Sequence, residues 1–188
     1  MKNYLSTLCC SAALLFMTSC GGSSDSTSVD AAGKHNENLL ESTGKSEKAG
    51  WFVAETASSN LYLQEMGRLA SSKATDPQIK EFGQVLLSHH EQLNNQLKQI
   101  SDLKNLMTPS SMGNNHQKAF NQTLEQTGQE FDKAFIEKVE KEHEDLIEKF
   151  QEFTEDGADA EYKNFASQAL PTLQAHQKRA QALKDAQP

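Results

Sequence analysis

From about residue 47 onward, apolar side chains recur every three or four residues in four long segments, with no strand-like alternation between them. Each such segment is a helix with one apolar face, and the faces escape water only by packing on one another. The first long helix is expected from near Glu47 to Ser72, with Phe52, Ser59, Tyr62, Met66 and Leu69 on or near one face. Asp76 is a good N-cap and Pro77 a good first residue for the second, whose seam is Ile79, Phe82, Leu86, Leu93, Leu97 and Ile100. The stretch MTPSSMGNN then forms a loop, followed by a short amphipathic piece around Phe120 and Leu124. The third long helix carries Phe131, Phe135, Val139, Leu146, Phe150 and Phe153, and Thr127 with Glu130 is expected to form its capping box. Gly157 breaks it. Asp159 caps the fourth, whose seam is Tyr162, Phe165, Ala169, Leu173, Ala180 and Leu183, with a kink expected at Pro171. Two short turns and one connection of about 20 residues suit an all-α four-helix bundle of two antiparallel hairpins, with a short helix in the long connection.

The chain before residue 47 reads differently. Residues 1–19 hold one basic residue, Lys2, an apolar run from about Leu5 to Met17 and then small residues, the pattern of a secretory signal peptide too short for a stable span. MTSC followed by Gly21 and Gly22 resembles the lipobox of bacterial lipoproteins, with ordinary cleavage near Ser19 as the alternative. That resemblance implies lipidation at Cys20 and, with no acid after the cysteine, an outer-membrane location facing the periplasm or the cell surface. Residues 20–46, rich in Gly, Ser, Asp and Asn, are expected to be a flexible tether spanning roughly 25 to 30 Å. Residues 47–188 form the helical domain. Cys9, Cys10 and Cys20 all precede the helical domain, so a metal site in the domain must use histidines and carboxylates. Removing residues 1–19 takes away Lys2 and no acid, moving the net charge from −8 to −9. An anionic domain without a basic stripe is a poor nucleic-acid partner.

Three seams carry a histidine where an apolar residue belongs. The second long helix steps Leu86, His90, Leu93; the third steps Val139, His143, Leu146; the fourth steps Leu173, His176, Ala180. Counting 1.5 Å per residue from the loops puts their levels within about 10 Å of one another if the long connection returns the chain to the end of the bundle where the second helix began. Otherwise the spread nearly doubles. The functional reading is a transition-metal site of two or three imidazoles with Glu65 or Glu140. The bland reading is three separate core histidines serving packing. His89 and His116 are expected to be exposed, and His35 solvated in the tether.

Sharper motifs are not met. HHEQL and HEDLI lack the second histidine of a zinc protease helix. A di-iron centre wants Glu three residues before two of its histidines; Glu140 precedes His143, but Leu87 and Leu173 stand before His90 and His176. No Gly-rich phosphate loop is present.

As a set, FVAETASSNLYLQEMGRLA, IKEFGQVLLSHHEQLNNQL, FDKAFIEKVEKEHEDLIEKF and LPTLQAHQKRAQAL resemble a bacterial family known as domain of unknown function 4142 and associated with the outer membrane. The resemblance covers about residues 50 to 185. It implies a ferritin-like bundle, with the family's histidines at His90, His143 and His176 and its first-helix acid at Glu65. The family's usual Asp-His pairs stand here as His89-His90 and Glu142-His143, so the acid survives only once. The resemblance implies no known chemistry. The leading expectation is a lipid-anchored, non-enzymatic binding or interaction module of the cell envelope. A transition-metal or redox protein is the alternative, and a structural partner for an envelope protein the third.

Overall fold

A computed structural model describes residues 27–187, and they form six helices without a strand among them. The expected signal peptide and Cys20 lie outside the described residues. The helices are α1 (Ser28–Ser42), α2 (Lys48–Lys73), α3 (Pro77–Leu103), α4 (Asn114–Glu125), α5 (Gly128–Asp156) and α6 (Ala160–Asp185). α2 packs along α3 and α5 along α6, and the two pairs meet through α2 with α5 and α3 with α6.

Local chemistry sets most of these ends. Asp76 accepts from the Gln78 N–H and Asp159 from the Glu161 and Tyr162 N–H groups, as their positions before α3 and α6 require. The capping box expected at Thr127 does not form: Thr127 is the N-cap of α5, but its side chain makes no capping bond. Gly128 follows at φ +61°, a left-handed turn into the helix that denies Thr127 the usual approach. α6 runs helical through Pro171.

The larger departure is α1. The stretch expected to be a flexible tether is a helix over residues 28–42, opened by a reciprocal capping box between Thr27 and Asp30. Its buried face is Ala32, Gly33, Asn36 and Leu40, small or polar except for one residue, so it shows little apolar period. Gly33 lies against the ring of Trp51 so closely that a Cβ there would sit 2.5 Å from it. Asn36 is fully buried and acts as a clamp. Its Nδ2 donates to Gly50 O (3.2 Å) and Met107 O (2.9 Å), and its Oδ1 accepts from the Met107 N–H (2.6 Å).

Inside the long helices the core is layered. Phe52, Phe150, Phe153, Tyr162 and Phe165 form one aromatic cluster, with Phe52 stacked on Phe153 at 4.0 Å. Phe82, Phe131 and Phe135 form another. His143 lies eight residues after Phe135 and seven before Phe150, a layer between the two clusters. α2 and α3 approach at backbone distance at Gly67 and Gly83: a Cβ on Gly67 would lie 2.5 Å from Gly83 O, and one on Gly83 2.7 Å from Gly67 O.

Replacing Asn36→Ala should strip three backbone groups, one buried and two part-buried, of this partner and cost about 1 to 3 kcal/mol. Urea denaturation reads the loss, and emission from Trp51, the one tryptophan, should shift to the red as α1 loosens. An unchanged midpoint and spectrum would show that α1 is not fastened by this residue.

Candidate metal centre

Four helices each contribute one polar side chain to the layer between the aromatic clusters. His90 of α3 and His143 of α5 are fully buried, and His176 of α6 is 4% exposed. Each occupies the seam position its own periodicity assigns to the core. The fourth residue is Asn60 of α2, on a face that also buries Thr56 and Leu63. Gly67 and Gly83 explain its reach. α2 and α3 run antiparallel from that contact, so seven residues back on α2 and seven forward on α3 bring Asn60 opposite His90.

The three rings converge. His90 Nε2 lies 3.2 Å from His143 Nε2, and His143 Nε2 lies 3.1 Å from His176 Nδ1. One nitrogen from each ring falls within a common 4.8 Å. The outward nitrogens fix the protonation. Val139 O can only accept, so His143 Nδ1, at 2.8 Å, carries the proton and Nε2 is a lone pair. Asn60 Oδ1, at 2.9 Å, accepts from His90 Nδ1 and leaves His90 Nε2 a lone pair as well. His176 Nε2 meets His89 Nδ1 at 2.8 Å, and this pair alone can place its proton either way.

Protein hydrogens can satisfy only one of these two contacts, because His143 Nε2 offers a single lone pair to two neighbouring nitrogens. At most one proton, on His176 Nδ1, can lie among the three inward nitrogens, and His143 Nε2 can take it. His90 Nε2 then faces His143 Nε2 lone pair to lone pair. With the His176 proton on Nε2, donated to His89, three lone pairs point inward. Two nitrogens bound at ~2.05 Å to one tetrahedral ion lie about 3.3 Å apart, close to both separations seen here.

Electrostatics keeps the rings neutral. Burial pushes His143 down to about 4 and His176 to about 3, the latter helped by His143 and His89. Burial, reinforced by the neighbouring histidines, holds His90 well below its ordinary value. Asn60 is held at a cost: its buried Nδ2 has no partner.

The two acids expected to join the histidines do not. Glu65 lies half-exposed beside Arg68 at 3.5 Å, and Glu140 is tied to Lys184 at 2.6 Å. Arg68 is three residues from Glu65 on the same helix turn, and Lys184 reaches across from α6, so both carboxylates are drawn outward. His89 is exposed, as expected, yet it stacks on His176 with ring centroids 5.1 Å apart. His35 is exposed on α1.

His116, also expected to be exposed, is half-buried in a second polar relay. Ser58 Oγ lies 2.7 Å from His116 Nδ1, and His116 Nε2 lies 3.1 Å from Glu142. Tyr62 stacks on the imidazole at 4.9 Å. Burial pushes the Glu142 carboxyl up, but His116, Ser59 and Lys149 together bring it below its ordinary range. The order is that of nucleophile, base and orienting acid. Ser58, however, is 2% exposed, and its oxygen already accepts from the Gly113 N–H at 2.9 Å. The relay fastens α4 to α2 and α5.

Asn60 was not singled out from the sequence, and His89 was read there only as an exposed residue. The only signal for Asn60 is an amide on the packed face of α2, which becomes meaningful through the Gly67 and Gly83 register. No signal on α3 alone points His89 toward α6.

The neutral rings make a pH prediction for the metal-free protein. The unfolded chain takes up protons at the ordinary value of 6.5, whereas the fold excludes them until about 4 at His143 and about 3 at His176. Stability is therefore full above about pH 6.5 and falls as pH drops toward about 3. At about 1.4 kcal/mol per pH unit, the loss is on the order of several kcal/mol. A urea midpoint that stays constant between about pH 7 and about pH 4 would contradict this.

No curated protein and no solved structure matches the chain. A family model described as Domain of unknown function (DUF4142) matches residues 36–183, a span that holds Asn60 and all three clustered histidines, and the chain belongs to that family.

Proposed function

We propose that this chain is a transition-metal-binding protein of the cell envelope: a ferritin-like four-helix bundle, lipid-anchored to the outer membrane at Cys20, that holds one ion between its helices. The observation that carries the metal reading is the convergence of His90 Nε2, His143 Nε2 and His176 Nδ1, with a hydrogen-bond partner behind each ring. Metal-ligating histidines are oriented in this way, the outer nitrogen donating to a carbonyl or a similar acceptor while the inner one offers its lone pair. Asn60 Oδ1, Val139 O and His89 Nδ1 are those acceptors. Asn60 strengthens the reading, because an apolar residue would pack there without an unpaired Nδ2.

The bundle reading rests on two long hairpins, α2 with α3 and α5 with α6, joined by a connection that holds the short α4. The anchor reading rests on the leader and MTSC. The role is binding: the three side chains supply donors, and of the acids before His143 on α5, Glu140 is engaged by Lys184 and Glu142 by His116. An interaction module whose histidines only pack is the competing reading.

Tag-free full chain carrying Cys9→Ser, Cys10→Ser and Cys20→Ser, so that no thiol competes, should bind one metal ion per chain. Ligand present at a hundredfold excess over Kd should stabilise the fold by about 2.7 kcal/mol, read as a rise in Tm that a chelator reverses. His143→Ala should abolish binding, and Asn60→Leu or His89→Ala should weaken it by about 10 to 100-fold. No stoichiometric metal, and no change of Tm on chelation, would leave the packing role alone.

A further inference from the structure

Taking the three-histidine cluster as a metal centre, we infer that the ion it is built for is monovalent copper, Cu(I). The donors are three neutral imidazole nitrogens, and among the described residues no carboxylate belongs to the cluster. The acids expected as ligands, and the one before His143, are engaged elsewhere: Glu65 beside Arg68, Glu140 on Lys184, Glu142 on His116; Glu91 and Glu144, which follow His90 and His143, are exposed. His90 and His143 have no exposed surface and His176 almost none.

Charge then discriminates between ions. The cost of taking an ion out of water rises with the square of its charge, so a divalent ion costs about four times a monovalent one of similar size. In most buried sites carboxylates or thiolates offset that cost; here nothing in the donor set carries negative charge. A zinc ion could recover part of it by holding hydroxide as a fourth ligand. Asn60 Oδ1 and Val139 O lie behind the outer nitrogens of His90 and His143, on the far side of the rings from the centre, so neither is placed to accept from a metal-bound water. Cu(II) prefers a tetragonal set of four or more donors, which three imidazoles do not supply. Cu(I), with a filled shell and a low coordination number, is satisfied by the three nitrogens and brings a single charge. With no cysteine in the cluster, the ion is held by its three imidazole nitrogens and stays exchangeable.

Access is on the α3 and α6 side. His89 and His176 line a groove there with Phe82, Val85 and Pro171, so an ion reaches the inner nitrogens past the His176 ring.

The experiment uses the same full chain with Cys9→Ser, Cys10→Ser and Cys20→Ser. Cu(I) is titrated anaerobically against the colorimetric chelator bicinchoninate, with Zn(II) and Cu(II) in parallel. One Cu(I) per chain, held at least 100-fold more tightly than Zn(II), is expected, with X-ray absorption of the loaded protein showing imidazole nitrogen and no sulfur around copper. That spectrum is taken on a chain with all its histidines, so it stands even where His143→Ala fails to fold. Zn(II) bound one per chain and not displaced by Cu(I) overturns the monovalent preference while leaving the metal centre in place. A copper shell containing sulfur or carboxylate oxygen overturns it too. If none of the three ions binds, the metal reading fails with it.

Discussion

The backbone contact between Gly67 and Gly83 sets the geometry on which the centre of this molecule depends. Without side chains at the crossing, α2 and α3 come close enough for a Cβ on either glycine to strike the other's carbonyl. An amide is a short side chain. At an ordinary interhelical distance of 8 to 10 Å, Asn60 would have little chance of meeting an imidazole on the neighbouring helix. The close approach brings Oδ1 to 2.9 Å from His90 Nδ1, and the antiparallel register lines up those two residues rather than their neighbours. One packing constraint two turns away thus decides which nitrogen of His90 faces the interior.

The same principle governs the other rings. A buried imidazole must place one N–H and one lone pair, and whichever side has the obligate acceptor decides the tautomer. Val139 O, one helical turn before His143, is such an acceptor. It commits His143 Nε2 to the centre as a lone pair whatever the neighbouring rings do. His176 differs, because its outer partner is another imidazole that can donate or accept. The cluster therefore has two fixed donors and one adjustable one, and the adjustable ring is the one beside the groove and the exposed His89. Neutrality follows from burial, so the rings gather without mutual repulsion.

How much of this was legible in the sequence depends on what each feature is made of. The long helices and the seam positions of His90, His143 and His176 were readable, because a 3.6-residue period assigns each residue to a face without knowledge of its neighbours. Their meeting was not, since it depends on where the long connection returns the chain. Glu65 and Glu140 looked like ligands by level and spacing, but their positions are decided by Arg68 and Lys184, cations that periodicity treats as anonymous surface. α1 was misread because its buried face is Ala32, Gly33 and Asn36, residues that also make up linkers; the fit of Gly33 to Trp51 and the Asn36 clamp are tertiary facts. The family match beginning at residue 36, inside α1, agrees with counting that helix in the folded unit.

The distribution of the four central polar residues, one on each long helix, has a thermodynamic consequence. Asn60 and His90 sit on one hairpin, His143 and His176 on the other, so neither hairpin alone holds three inward nitrogens. Any ion bound there bridges the hairpins, and its binding free energy adds directly to their association, because pulling them apart destroys the site. Without an ion, the layer carries an unfavourable contact: it lies between two aromatic clusters and contains a lone-pair confrontation and an unpaired Asn60 Nδ2. Isolated core histidines would each be satisfied within their own neighbourhood; these three are turned on one another, and an ion among them would be the partner that their inward nitrogens lack.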